Sequence, residues 1–283
     1  MYYDNNKNFP VLDDYPMTKT QEGIFFETLS HPGTTIYNIA TMLELGGVPD
    51  VSRIKDAVIS AVKAHPYLLT RFFQNDKGEV RQKRPEEFAF DVEELRFRDL
   101  DELRKNLLQP YDLLNDSLLR ASIARTDDGK IYVYFDMNHA VFDGVSRQIF
   151  MRDIERAYKG EKLEPEKFSG WEAALLEERV RNSSQYQKAK DYYTELFSGC
   201  EPDCLPLSDT QEDIEGVVSV ILPGHADTET IKRFCDDNGI SENDFYTSAF
   251  GYVIAGFSGR EDSIFTTINN GRNDSRFMDS VSM

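Results

Sequence analysis

Between Leu118 and His139 the sequence leaves little choice of local structure. Leu118 to Ala124 and Lys130 to His139 flank the turn Thr126-Asp127-Asp128-Gly129, whose short polar side chains and glycine suit a tight reversal, so the stretch predicts a hairpin. Side chains alternate along a strand. Ile131, Val133, Phe135, Met137 and His139 therefore share one face of the second strand, and Tyr132, Tyr134, Asp136 and Asn138 share the other. After Gly144 the spacing predicts a helix to about Lys159, with Val145, Ile149, Phe150, Ile154 and Ala157 turned inward and Arg147, Arg152, Glu155 and Arg156 mostly outward.

The junction Asn138-His139-Ala140-Val141-Phe142-Asp143-Gly144 is where chemistry is expected. Histidine is the side chain whose ordinary pKa lets it exchange a proton near neutrality, and the Asp-Gly pair re-aims the backbone. The plain alternatives are a satisfied core histidine at a strand end for His139 and a simple helix N-cap for Asp143.

The rest of the chain mixes helices and strands. Thr18-x-x-Gln21 has capping-box spacing and opens a helix to about Leu29, with Ile24, Phe25, Phe26 and Leu29 as its apolar face. Tyr37 to Leu45 reads as a strand ended by Gly46-Gly47, and Asp50 caps a helix that Pro66 stops. His65 closes that helix, read as a packed ring or dipole-favoured cation in preference to a second catalytic imidazole. Leu68 to Phe73, Glu79 to Lys83 and Phe88 to Leu95 are short strand candidates, and Asp99 caps a short helix to about Leu108. Leu163 to Gly170, polar and containing Pro165, reads as a crossing between lobes, placing a boundary at 165/166. Beyond it, helices are expected over Trp171 to Val180, Ser184 to Phe197, from Asp227 and from Ser241, a loop over Gly199 to Asp213, and strands over Gly216 to Leu222 and Ser263 to Ile268. Such a mixture is α/β or α+β.

Composition removes several function classes. Acidic residues number 50 against 32 basic ones, a formal charge of −18, and phosphate neutralisation needs clustered Lys and Arg, so neither nucleic acid nor an anionic membrane is an expected partner. The longest apolar run, Ala249 to Phe257, is far short of the roughly 20 residues of a spanning helix. The first residues show no secretory pattern, and the cytoplasm is the expected compartment. Cys200-x-x-x-Cys204 with His225 lacks a second cysteine pair, so no metal is expected and Cys200, Cys204 and Cys235 read as ordinary thiols.

The order of motifs resembles the condensation domains of nonribosomal peptide synthetases, within the chloramphenicol-acetyltransferase-like superfamily. Tyr15-Pro16-Met17-Thr18-Lys19-Thr20-Gln21-Glu22 is similar to that family's N-terminal motif, Tyr37-Asn38-Ile39 to its first-strand signature, and His65 to Phe72 to its second motif. Tyr111-Asp112-Leu113 with Leu118-Leu119-Arg120-Ala121 resembles the approach to the active-site strand. Asn138 to Gly144, then Ser146, resembles H-H-x-x-x-D-G-x-S, and Thr267 to Arg272 its later Gly-Arg motif. The sequence departs from the pattern at Asn138, where the first histidine of the pair is usual, and at Leu69, where an arginine is usual.

The resemblance implies two acyltransferase-like lobes, 1–165 carrying the active-site motif and 166–283 incomplete, with the chain truncated in the second. It implies that His139 is catalytic, at the end of a tunnel entered by two phosphopantetheine arms, and that Asp143 pairs with Arg272 across the lobes to brace the loop. Asn138 is expected to be a structural replacement facing away from the tunnel, and Gly144 to let an oxyanion approach helix N–H groups. The implied activity is amide formation between a carrier-bound acyl or peptidyl thioester and a carrier-bound aminoacyl group, with no directly bound cofactor. Upstream donor and downstream acceptor carrier domains are the implied partners, with an adenylation domain in the same parent chain. The alternatives are a non-catalytic carrier-docking domain and a stand-alone coenzyme A-dependent acyltransferase. Residues 1–283 alone are expected to be inactive, and apolar surface near Phe245 to Phe257 to drive self-association.

Overall fold

A computed structural model describes residues 9–200, 227–272 and 274–283. In chain order its elements are α1 (Lys19–Ser30), β1 (Asn38–Leu45), α2 (Val51–Ala64), β2 (Arg71–Gln74), β3 (Val80–Lys83), β4 (Glu93–Phe97), α3 (Leu100–Leu107), β5 (Leu119–Thr126), β6 (Ile131–Asn138), α4 (Gly144–Tyr158), α5 (Gly170–Arg181), α6 (Ser184–Leu196), α7 (Thr228–Asn238) and α8 (Glu242–Ser258). Helix starts follow local chemistry closely. Thr18 and Gln21 form both halves of a capping box on α1, Asp50 accepts from the Arg53 N–H on α2, Asp99 from Glu102 on α3, and Ser241 forms a capping box with Asp244 on α8.

Four strands form one sheet in the order β1-β6-β5-β4, and β2 pairs with β3 in a separate hairpin. The predicted hairpin is β5-β6, with Leu119 opposite Met137 and the reversal made by Gly129 at φ 86°. On the far side of β6, antiparallel β1 sets Asn38 opposite Asn138. Val133, Phe135 and Met137 bury one face of β6 against α2 and α4, where Val58, Ala61, Val62, Ile149 and Phe150 complete the main core. Phe135 and Phe142 both meet the Phe150 ring edge-on, at 5.6 and 6.2 Å between centroids. The opposite face carries Tyr132, packed with Leu103 of α3, and the buried Tyr134, Asp136 and Asn138. Alternation along β6 thus divides the residues as their spacing predicts.

Several boundaries differ from expectation. Leu68 and Leu69 lie in a 3₁₀ turn, Pro66–Leu69, because the proline at its start fixes a helical φ, and the strand begins at Arg71. Phe88 to Val92 precede β4 outside the sheet, and Ser263 to Ile268 form no strand element among the described residues, with Ile268 fully exposed. On α1, Ile24 and Phe25 are buried but Phe26 and Leu29 are exposed, so the buried stripe is narrower than the apolar one. The expected loop Gly199 to Asp213 lies almost wholly, and strand Gly216 to Leu222, Cys204 and His225 entirely, outside the described residues.

The chain resolves into two compact units, Met1–Lys190 with Asn270–Met283, and Asp191–Asn269. The division at 165/166 falls inside the first. Trp171, at the start of α5, is fully buried beside Tyr15 and Tyr67, and Glu172 is ion-paired to Arg84, so α5 shares a core with α1 and the β2-β3 hairpin. Gly170 permits this contact: a Cβ there would lie 2.2 Å from the Tyr67 ring. In the second unit α7 and α8 pack through Phe234 and Phe245, while Phe250, Tyr252, Val253 and Phe257 of α8 are exposed by half or more.

Candidate active site

Strand β6 delivers Asn138 and His139 to the edge of the sheet, where the His139 N–H donates to the Tyr37 carbonyl at 2.7 Å. Here the chain leaves the strand. The Asn138 side-chain oxygen accepts from the Ala140 N–H at 2.9 Å and its carbonyl from the Val141 N–H at 3.1 Å, a local turn that Asn is suited to make. Asn138 is 2% exposed and committed to this turn, whereas the His139 ring is half-buried, its Nδ1 3.1 Å from the Met283 sulfur.

Val141 and Phe142 then anchor in two different cores. Val141 joins Tyr15, Phe25, Tyr67 and Trp171, and Phe142 joins the α2-α4 core. A loop pinned on both sides has little freedom to move the residue that precedes it. Gln21 adds a direct hold: its Nε2 donates to the Ala140 carbonyl at 2.8 Å across 119 positions of sequence.

Asp143 follows as the N-cap of α4. Its Oδ1 accepts from the Ser146 N–H at 2.7 Å and from Arg272 Nη2 at 3.0 Å, and Oδ2 accepts from Arg272 Nη1. Burial alone would raise this carboxyl, but the hydrogen bonds from Arg272 and Ser146 outweigh it and hold it below the usual aspartate range. Asp143 is thus both a cap and an ion-pair partner. The pair lies within the first compact unit, where Val281 is buried in the main core and Ser282 exchanges two hydrogen bonds with the Ser146 hydroxyl. Arg272 also donates to that hydroxyl at 2.9 Å. Gly144, the first residue of α4, is exposed, and a Cβ on it would meet nothing within 4 Å.

Two neighbouring clusters were not legible in the sequence. His65 is 3% exposed and lies between Glu166, 2.9 Å from Nδ1, and Asp153, 2.9 Å from Nε2. Burial lowers its pKa, but the two carboxylates more than offset that and leave it raised. Glu166, raised by burial, also accepts from the Val281 N–H. The ring is a structural group packed at the end of α2 between two carboxyls. Aspartates on a helix and glutamates in a polar connector carry no local signal of this meeting.

Behind β6, Asp136 is fully buried, accepts from the Asn38 side chain at 2.8 Å and lies 3.6 Å from Arg120. Its carboxyl is pushed up to about 6 by burial, tempered by Asn38 and Arg120. Alternation identified its face; only the fold shows how deep that face is.

A mixed sheet backed by paired helices, with a histidine where its inner strand ends and an arginine-bound aspartate capping the next helix, is the chloramphenicol-acetyltransferase-like α/β fold. The condensation-domain family matches residues 11–283, and the chain belongs to it. It is 25% identical over 277 residues to surfactin synthase subunit 2 of Bacillus subtilis (strain 168), a match covering 96% of this chain and 8% of that protein. Over 272 residues it is 26% identical to bacitracin synthase 3 of Bacillus licheniformis, covering 92% of this chain and 4% of the synthase. The chain therefore spans only a small part of the relatives it matches. Among solved structures, the first condensation domain of the calcium-dependent antibiotic synthetase, in complex with a substrate analogue, superposes with a TM-score of 0.72 at 18% identity, covering 97% of this chain and 68% of that one. The starter condensation domain of rhizomide synthetase gives a TM-score of 0.66 at 17% identity, covering 90% and 62%. Among the described residues no helix is long and apolar enough to cross a membrane, and no group of three or more His, Cys, Asp or Glu is placed to hold a metal.

Proposed function

We propose that this chain forms an amide bond between a carrier-bound acyl or peptidyl thioester and the amino group of a carrier-bound aminoacyl thioester. The observation that carries the reading is the His139 ring: half-buried at a strand end, with its backbone held on both sides and with Asp143 engaged elsewhere. The attacking nitrogen bonds to the thioester carbonyl carbon, its proton passes to His139, the carbon–sulfur bond breaks, and the departing thiolate takes that proton back from the imidazolium. An α-amino group has a pKa of about 7.7 to 8.0, so part of it is neutral at cellular pH and one histidine suffices to orient it and take the proton. Met283 lies against Nδ1, which supports Nε2 as the nitrogen that meets the amine.

The developing oxyanion is assigned to Gly144 and the first N–H groups of α4, a reading supported by the open space at Gly144, where a Cβ would meet nothing within 4 Å. Asp143, kept ionised by Arg272, is a brace and not an acid. Asn138 replaces the first histidine of the motif with a side chain that completes the turn into Ala140, a role that needs no titrating group. No cofactor is bound directly; both substrates arrive on phosphopantetheine arms of donor and acceptor carrier domains, loaded by an adenylation domain, in the cytoplasm. Residues 1–283 alone are expected to turn over poorly, since they cover 68% of the solved domain they resemble, and the exposed apolar side chains of α8 favour self-association.

The test uses the natural full-length polypeptide with loaded donor and acceptor carriers, following the peptide thioester by mass spectrometry. Wild type is expected to form product and His139→Ala to lose it. Equal yields from both would remove His139 from the chemistry. No product from either, with both carriers seen to bind, would favour a non-catalytic docking domain.

A further inference from the structure

The backbone on either side of His139 is fixed by three groups. Two belong to the strand end, the Tyr37 carbonyl and the Asn138 side chain; the third comes from α1. Gln21 is fully buried, and its amide sits in a closed ring of hydrogen bonds. Its Oε1 accepts from the Thr18 N–H at 2.9 Å and from Gln82 Nε2 at 3.2 Å. Its Nε2 donates one hydrogen to the Tyr67 hydroxyl at 2.6 Å and the other to the Ala140 carbonyl at 2.8 Å. Tyr67 passes its own hydrogen to Gln82 Oε1 at 3.0 Å, and Gln82 donates its remaining one to the Pro16 carbonyl at 2.7 Å. Gln82 Oε1 lies a further 3.4 Å from Gln21 Nε2, a longer contact than those to Tyr67 and Ala140. Backbone groups that cannot reverse roles, the Thr18 N–H and the carbonyls of Pro16 and Ala140, fix which end of each amide points where.

A capping box accepts either Glu or Gln at this position, because the helix uses only an acceptor oxygen. The Ala140 carbonyl needs a donor, and only Gln supplies both. We infer that Gln21 is a positioning residue for His139, its amide N–H group holding the peptide that follows the histidine while its oxygen caps α1. This rests on the proposed condensation chemistry, where a small displacement of the imidazole from the amine costs rate more than binding.

Gln21→Glu separates the two duties. The carboxylate keeps the cap on α1 but sets an oxygen against the Ala140 carbonyl, whose partner is lost. Gln21→Met removes the donor without burying charge. Each variant is made in the natural full-length polypeptide, and two readouts are taken: hydrogen exchange by mass spectrometry over residues 137–143 and 18–30, and turnover with loaded carriers at varied carrier concentration. Loss of a buried hydrogen bond is expected to speed exchange over 137–143 by about tenfold in Gln21→Glu and Gln21→Met. Over 18–30 the Glu variant should exchange like wild type. The kcat should fall by a comparable factor, with KM for either carrier unchanged. Unchanged exchange over 137–143 overturns the hold on the loop. Faster exchange with full kcat overturns its importance for His139. If wild type makes no product, the condensation reading fails and the positioning role falls with it, whatever the exchange data show.

Discussion

Arg272 reaches back 129 positions to Asp143 and binds both of its carboxylate oxygens, one of which also caps α4. The guanidinium and carboxylate are 4% and 13% exposed, so neither has water to fall back on. Replacing Arg272 by Ala strands a buried carboxylate at the helix start, and a loss of about 3–5 kcal/mol is expected in denaturant unfolding, against less for the pair Asp143→Asn with Arg272→Met. Because the Asp143 pKa is lowered on folding, its contribution is present above the ordinary aspartate value and lost as pH falls through the folded one. The Arg272→Ala protein should lack that part of the acid limb.

His65 gives the opposite slope. Its raised pKa means that the stability it supplies is complete below the ordinary histidine value of 6.5 and is lost as pH rises through the folded value. His65→Gln leaves Asp153 and Glu166 facing each other without a cation between them. A destabilisation of about 3–5 kcal/mol at pH 6, shrinking as pH rises above 6.5, is expected from unfolding midpoints.

Asp136 should titrate against the fold. An acid raised from 3.8 to about 6 binds protons more tightly when folded, so stability falls as pH rises across that interval. Asp136→Asn is expected to be flat over the same range and at least as stable as wild type at pH 7, by guanidinium unfolding at a series of pH values. A wild-type profile without this slope would mean that the buried carboxyl is ordinary.

At Gly144 stability and activity should separate. The position is open and a Cβ meets nothing within 4 Å, so Gly144→Ala should unfold within about 0.5 kcal/mol of wild type. If the α4 N–H groups meet the oxyanion, the added methyl should lower kcat by about tenfold or more. Unaltered turnover would remove Gly144 from the site.

What the sequence by itself determined is local. The Thr126 to Gly129 turn, the alternation along β6 and the caps at Thr18, Asp50, Asp99, Asp143 and Ser241 depend on neighbours within a few positions, and the structure has them where those neighbours require. The motif order carried the family as well, since Asn138 to Gly144 and Arg272 occur in sequence with the flanking signatures. Tertiary structure decided which distant groups those residues meet. Gln21 was visible as a capping residue, but its second hydrogen bond crosses to Ala140; His65 was visible as a helix end, but Glu166 reaches it from a stretch that reads as a connector. The same distance effect placed the Arg272 pair inside one compact unit. A cap is satisfied by its own helix; a buried amide or imidazole is satisfied only by what the whole chain brings to it.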